Sequence, residues 1–213
     1  MHHFRSIFLF LMLLSSLRAD AAPKTVIFFG DSLTFGYGLE DPSTQSYPAL
    51  IEQKIKAGGI AAKVINAGIS GDTSSGGLSR VDWVLKQNVD IFVLALGAND
   101  ALRGVDPAVT QSNLNAIIAR VRRKSPDAVI ILAGMRMPDI LGVDFVRAYA
   151  KVYPSVAAAQ HVTLIPFLLE GVGGRKELNQ ADGIHPNAAG AAVVANTVWK
   201  TLAPILLTPR FGD

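Results

Sequence analysis

Five short apolar runs, spaced by stretches of helical periodicity, constrain this chain more than any other feature. Thr25–Phe29, Ala62–Ile65, Asp90–Leu96, Ala128–Leu132 and His161–Ile165 have the length and composition of strands. Tyr47–Ala57 reads as a helix, with Pro48 in its first turn and Gly58-Gly59 past its end. Leu78, Val81 and Leu85 fit one helical face. Asp106-Pro107 opens a helix with a capping carboxylate and carries Leu114, Ile117, Ile118 and Val121 at i, i+3, i+4, i+7. Phe145–Ala159 is helical in pattern, with Pro154 expected to kink or interrupt it. Ala188–Leu202 closes the chain as a helix with Val194, Val198 and Leu202 on one face.

Strands that alternate with helices build βαβ units and a parallel sheet. The third run is continuously apolar, as strands covered on both faces are. The expected fold is therefore α/β: a three-layer α/β/α, flavodoxin-like arrangement with a five-stranded parallel sheet. The 213 residues, half of them hydrophobic and 17% charged, suit a single domain and exclude a disordered chain. Without cysteine there is no disulfide, thiolate nucleophile or Cys-based metal site. A net charge of +3, with Arg122-Arg123-Lys124 as the one dense basic run, gives no reason to expect nucleic acid as a partner.

Residues 1–21 have their own logic. A basic start at Arg5, an apolar run over Ile7–Leu14 and Ala19-Asp20-Ala21 describe a signal peptide cut after Ala21. The run is well short of the roughly 20 residues needed to cross a bilayer; a retained anchor is the alternative. The expectation is a single domain over 22–213, exported to the periplasm or secreted, monomeric and without stable membrane insertion. Thr208–Asp213 is expected to be a loose tail.

In sheets of this kind ligands sit beyond the carboxyl ends of the strands. There the chain offers Gly30-Asp31-Ser32-Leu33-Thr34, Asn66-Ala67-Gly68-Ile69-Ser70-Gly71-Asp72 and Gly97-Ala98-Asn99-Asp100, with Asp182-Gly183-Ile184-His185-Pro186-Asn187 before the last helix. Acyl transfer needs a hydroxyl nucleophile, a base, a carboxylate to orient the base, and donors for the oxyanion. One arrangement meets all four needs. Ser32 is the nucleophile and His185 the base; Asp182, three residues earlier, can reach the far ring nitrogen. The N–H groups of Ser32 and Gly71, with the Asn99 amide, would form the oxyanion hole. Gly71 has no side chain to shield its N–H.

Each residue also has a plainer explanation. Ser32 can cap the next segment, Asn99 can form a turn, and Asp31 can be a turn residue or a partner of the Ser70–Thr73 loop. His185 takes the base role largely by elimination. His161, the other histidine in 22–213, opens an apolar run and reads as a packed or edge residue. Asp72 and Asp100 compete with Asp182 for the orienting role but are not local to His185.

The four stretches together resemble the GDSL/SGNH hydrolase family. Gly30-Asp31-Ser32-Leu33 is similar to its block I, Gly71 to the block II glycine, Asn99 to the block III asparagine, and Asp182-Gly183-Ile184-His185 to block V. Ser70–Ser74, Leu102-Arg103-Gly104, Tyr153-Pro154 and Asp182–Asn187 resemble its periplasmic thioesterase I, lysophospholipase and arylesterase group. The resemblance spans nearly all of 24–203. It implies hydrolysis of ester and thioester bonds through an acyl-enzyme, with small acyl esters, thioesters or lysophospholipids as substrates and no metal or organic cofactor. Two departures stand out: Ala98 replaces a second glycine, and Asp139–Phe145 differs. Ile140, Leu141 and Phe145 in that stretch are candidate acyl contacts.

Other classes are less well served. Ser32 lacks the second glycine of G-x-S-x-G, with Thr34 in its place. Gly36-Tyr37-Gly38 does not extend to a dinucleotide fingerprint, and no H-E-x-x-H occurs. A carbohydrate-ester hydrolase or acyltransferase on the same fold, and a non-catalytic flavodoxin-like binding module, remain the alternatives. Trp83 and Trp199 sit in helical patterns rather than on a sugar platform.

Overall fold

A computed structural model describes residues 22–208; the expected signal segment 1–21 and most of the expected tail lie outside them. The elements run β1 (Lys24–Gly30), α1 (Ser32–Phe35), α2 (Pro42–Gln45), α3 (Tyr47–Ala57), β2 (Ala62–Gly68), α4 (Ser74–Val84), β3 (Ile91–Ala95), α5 (Ala98–Leu102), α6 (Pro107–Lys124), β4 (Val129–Ala133), α7 (Val143–Tyr149), α8 (Val152–Gln160), β5 (Thr163–Ile165) and α9 (Ala188–Leu207). The five strands form one parallel sheet in the order β2-β1-β3-β4-β5. This is the flavodoxin-like α/β order, with its switch point between β1 and β3.

Apolar continuity explains the sheet. Val26–Phe29 and Phe92–Leu94 are fully buried, so both faces of β1 and β3 are covered. On α6, Leu114, Ile117, Ile118 and Val121 are all buried, and the Asp106 side chain accepts from Ala108 N at 2.8 Å to cap that helix. Among the described residues α9 is the one helix long and apolar enough to cross a bilayer. Here its Val194, Ala195, Val198 and Leu202 are buried in the core instead.

Several boundaries differ from the sequence pattern, α9 running on past Leu202 to Leu207 among them. The helical stretch around 145–159 is two helices, broken at Ala150-Lys151. The ring of Pro154 would collide with the carbonyl four residues back, which is Ala150, so the break falls where the steric conflict lies. His161 does not open a strand. It ends α8 in a left-handed conformation (φ 47°), and β5 starts at Thr163. Strand β2 runs on to Gly68 because Gly30 pairs with Gly68 in the ladder. The Asn66-Ala67-Gly68 stretch reads as a turn only when this pairing is unseen.

Candidate active site

Ser32 is the first residue of α1, directly after β1. The Asp31 carboxylate accepts from Leu33 N at 3.0 Å and caps this short turn. The Asn66 amide, reaching from β2, donates to Thr34 O at 2.8 Å and holds the other end. Thr34 uses its hydroxyl on Tyr47 Oη, 2.9 Å away. Ser32 thus rests on a braced turn rather than a free loop.

His185 arrives from 153 residues further along the chain. Its Nε2 lies 2.9 Å from Ser32 Oγ and its Nδ1 2.7 Å from Asp182 Oδ2. Asp182 Oδ1 also accepts the N–H groups of Ile184 and His185, at 2.9 and 3.0 Å. Burial works to raise the Asp182 carboxyl. The donors from His185 and Ile184 and the charge of a protonated imidazole outweigh it and bring it down to about 2. An ionised Asp182 accepts a hydrogen bond from Nδ1–H and so holds the proton on Nδ1, which leaves Nε2 free to accept the Ser32 hydroxyl proton. Gln180 docks this loop onto the serine turn by donating to Tyr37 O at 2.7 Å and to Pro186 O at 3.0 Å. The Tyr37 ring lies 4.8 Å from the imidazole, centroid to centroid.

The donors come from two further turns. Gly71 has φ 78° and occupies the third position of a turn closed by Asp72 N to Ile69 O, where a left-handed residue is required. Among the described residues, neither the Ser32 nor the Gly71 N–H has a hydrogen-bond partner. The Asn99 amide donates one N–H to Asp72 O at 3.0 Å, and its second N–H remains for a ligand. Gly97 sets the Asn99 turn with φ 116°, and a Cβ there would meet Tyr153 Oη at 2.5 Å. Tyr153 donates to Leu96 O at 3.0 Å, and Tyr149 donates to Gly97 O. Desolvation pushes the Tyr149 hydroxyl up to about 12, so it stays a donor.

Comparison with known proteins fits this geometry. The GDSL-like Lipase/Acylhydrolase family model matches residues 28–193. The chain is 39% identical over 191 residues to Esterase TesA of Pseudomonas aeruginosa, covering 89% of this chain and 93% of that protein. The chain belongs to the GDSL-like lipase/acylhydrolase family. It is also 38% identical over 200 residues to Thioesterase 1/protease 1/lysophospholipase L1 of Escherichia coli K12, covering 93% of this chain and 92% of that protein. The crystal structure of TesA superposes with a TM-score of 0.81 at 40% identity, covering 85% of this chain and 99% of that one. The protein is a serine ester hydrolase with the SGNH fold.

The other carboxylates near Ser32 make no hydrogen bond to His185 and brace the surrounding turns. Asp100 is buried and accepts from Ser74 N at 2.8 Å and from the hydroxyls of Ser74 and Thr110. Asp72 pairs with Arg80, Nε to Oδ2 at 2.7 Å. Asp31 is buried, and desolvation, with the Asp72 and Asp100 carboxylates nearby, raises it to about 7. Asp31 is the turn residue that the sequence allows, and it is buried in that role.

The surroundings of Ser32 divide in two. A small apolar cleft of about 10 Å³ adjoins Ser32 and His185 and is lined by Tyr37, Leu39, Leu169, Ala191 and Val194. None of these five was a site candidate in the sequence, where Val194 reads only as part of the apolar face of the last helix. Ile140, Leu141 and Phe145 do not line it. Ile140 is 90% exposed, Leu141 is half-buried, and Phe145 stacks on Tyr149 at 5.8 Å. Ile140 and Leu141 lie in the β4–α7 connection and Phe145 on α7, which reaches the Gly97–Asn99 turn through Tyr149. Trp83 is 73% exposed, and Trp199 packs at the edge of the core.

Proposed function

We propose that Ser32, His185 and Asp182 are the catalytic triad and that the Ser32 N–H, Gly71 N–H and Asn99 amide form the oxyanion hole. The observation that carries this assignment is the unbroken relay from Asp182 through His185 to Ser32, at 2.7 and 2.9 Å. Ser32 Oγ attacks the acyl carbonyl while Nε2 accepts its proton. Negative charge collects on the carbonyl oxygen, where three donors from separate turns converge. Nε2 then gives the proton to the departing alcohol or thiol. Water, deprotonated by Nε2, repeats the attack and frees the acid and Ser32.

The substrates are small acyl esters and thioesters, including lysophospholipids, in keeping with the activities named for the similar proteins. The apolar side chains beside Ser32, Leu39, Leu169 and Val194 among them, suit the start of an acyl chain, and Ile140, Leu141 and Phe145 are proposed to contact longer chains on the Asn99 side. Every group in the assignment comes from one chain, in keeping with a monomeric enzyme. Residues 1–21 support export to the periplasm or beyond, and N-terminal sequencing of the processed protein should begin at Ala22.

A fluorophosphonate probe tests the assignment. The wild-type protein should be labelled once and lose esterase activity, whereas Ser32→Ala should take no label. Labelling of Ser32→Ala would remove Ser32 as nucleophile. A panel of thioesters, lysophospholipids and aryl esters of graded chain length then ranks the substrates.

A further inference from the structure

Arg80, on α4, spends its whole fork on the segments that carry the oxyanion donors. Nε donates to Asp72 Oδ2 at 2.7 Å, one terminal nitrogen to Ala67 O at 2.9 Å and the other to Gly30 O at 3.0 Å. Its guanidinium carbon lies 4.0 Å from the centroid of the buried Phe29 ring. The side chain is 17% exposed and that of Asp72 9%, so this is no solvated surface pair.

We propose that Arg80 is a positioning residue whose guanidinium ties the Ser32 turn to the Gly71 turn and so sets the spacing of the two backbone N–H groups that face the oxyanion. The inference rests on the assignment of Ser32, Gly71 and Asn99 made above. Gly30 O ends β1 two residues before Ser32, and it also accepts Ile69 N at 3.0 Å. Ala67 O sits near the end of β2, and Asp72 follows Gly71 directly. Asp72 in turn offers its carbonyl to the Asn99 amide at 3.0 Å. One cation therefore reaches both turns, and through Asp72 it reaches the third donor. An ion pair serving stability alone would need only Asp72. The two backbone carbonyls, on adjacent strands, are what make the contact a gauge of distance. Lysine carries a point charge on a flexible stem and cannot satisfy three divergent acceptors. A misplacement of about 1 Å in such a site can lower turnover on the order of 10²-fold.

The test compares Arg80→Leu and Arg80→Lys with wild type on an aryl ester, in otherwise native and Asn99→Ala backgrounds. Rates are normalised to sites titrated with fluorophosphonate, so that unfolded protein is not counted. In Arg80→Leu, kcat should fall at least about tenfold with KM within about twofold, the pattern of an interaction felt in the transition state. Arg80→Lys should lie between. In the Asn99→Ala background the same substitutions should cost less than about threefold, because residues acting as a unit are not additive. If Arg80→Leu does not fold, Arg80→Lys carries the comparison, with a loss in the native background larger than in Asn99→Ala. A kcat within twofold of wild type, or an equal loss in both backgrounds, overturns the proposal. Ser32→Ala, assayed alongside, separates the two levels. Turnover surviving there overturns the triad. An inactive Ser32→Ala with unaffected Arg80 variants overturns only the role of Arg80.

Discussion

Asp182 is ionised at neutral pH, because hydrogen bonds from His185 and Ile184 and the imidazolium charge outweigh its burial and bring it down to about 2. In the proposed triad its task is to fix the imidazole, and Asp182→Asn should leave the loop folded while lowering kcat on the order of 10⁴-fold, as in other triads where the wrong tautomer results. A loss under tenfold would mean that the ring is oriented by something else. Asn99→Ala should cost about 10²–10³-fold in kcat, the usual loss for one oxyanion donor, and near-normal turnover would remove it from the site. That Ser32, His185 and Asp182 come together was legible in the sequence because acyl transfer demands scarce residue types: two histidines follow residue 21, and only one has a carboxylate three residues away. Arg80 was not legible. Two of its three acceptors are backbone carbonyls at Gly30 and Ala67, which carry no side-chain signal and meet only through strand pairing.

At the scale of elements, the helices act on the chemistry through the turns they support. Helices α7 and α8 each contribute one tyrosine hydroxyl to the carbonyls that precede Asn99. Tyr149→Phe removes one of the two donors to the buried Gly97 carbonyl, which keeps the Ala101 N–H at 3.1 Å, and should cost about 0.5–1.5 kcal/mol of stability, measured by urea unfolding. The Asn99 turn should loosen with it, so that kcat falls while KM holds; unchanged kcat would show that the turn needs no such support. Pro154 announced the break between these helices in advance, since its steric conflict is local. The left-handed His161 carried no such mark, because a non-glycine residue rarely adopts that conformation and nothing in the pattern requires it. The β4–α7 connection makes its own claim. Ile140→Ser should lower kcat/KM for long acyl chains several-fold and spare short ones, as a buried methylene is worth about 0.8 kcal/mol. Equal loss across chain lengths would take Ile140 out of the acyl path.

For the whole molecule, the order β2-β1-β3-β4-β5 makes neighbours of strand ends far apart in the chain and sets Ser32 beside Asn99 at the switch point. That topology was readable from apolar runs and helical spacing, because parallel strands need crossovers and crossovers have one hand. The electrostatic consequence of the packing was not readable. Asp31, raised to about 7 by burial first and by nearby carboxylates second, holds a proton in the fold that the unfolded chain releases near pH 4. Its contribution to stability is full below about pH 4, declines as pH rises, and is gone above about pH 7. Asp31→Asn should therefore raise Tm relative to wild type more at pH 8 than at pH 5. A difference independent of pH would contradict the burial of an acid there.

The convergence of three turns and a distant loop on one reacting atom is best tested by a crystal structure of the phosphonylated enzyme. Phosphorus should be bonded to Ser32 Oγ, with one phosphoryl oxygen within hydrogen-bond distance of Ser32 N, Gly71 N and Asn99 Nδ2, and with His185 Nε2 beside the ester oxygens. An adduct on another side chain, or a phosphoryl oxygen turned away from Gly71 and Asn99, would contradict it.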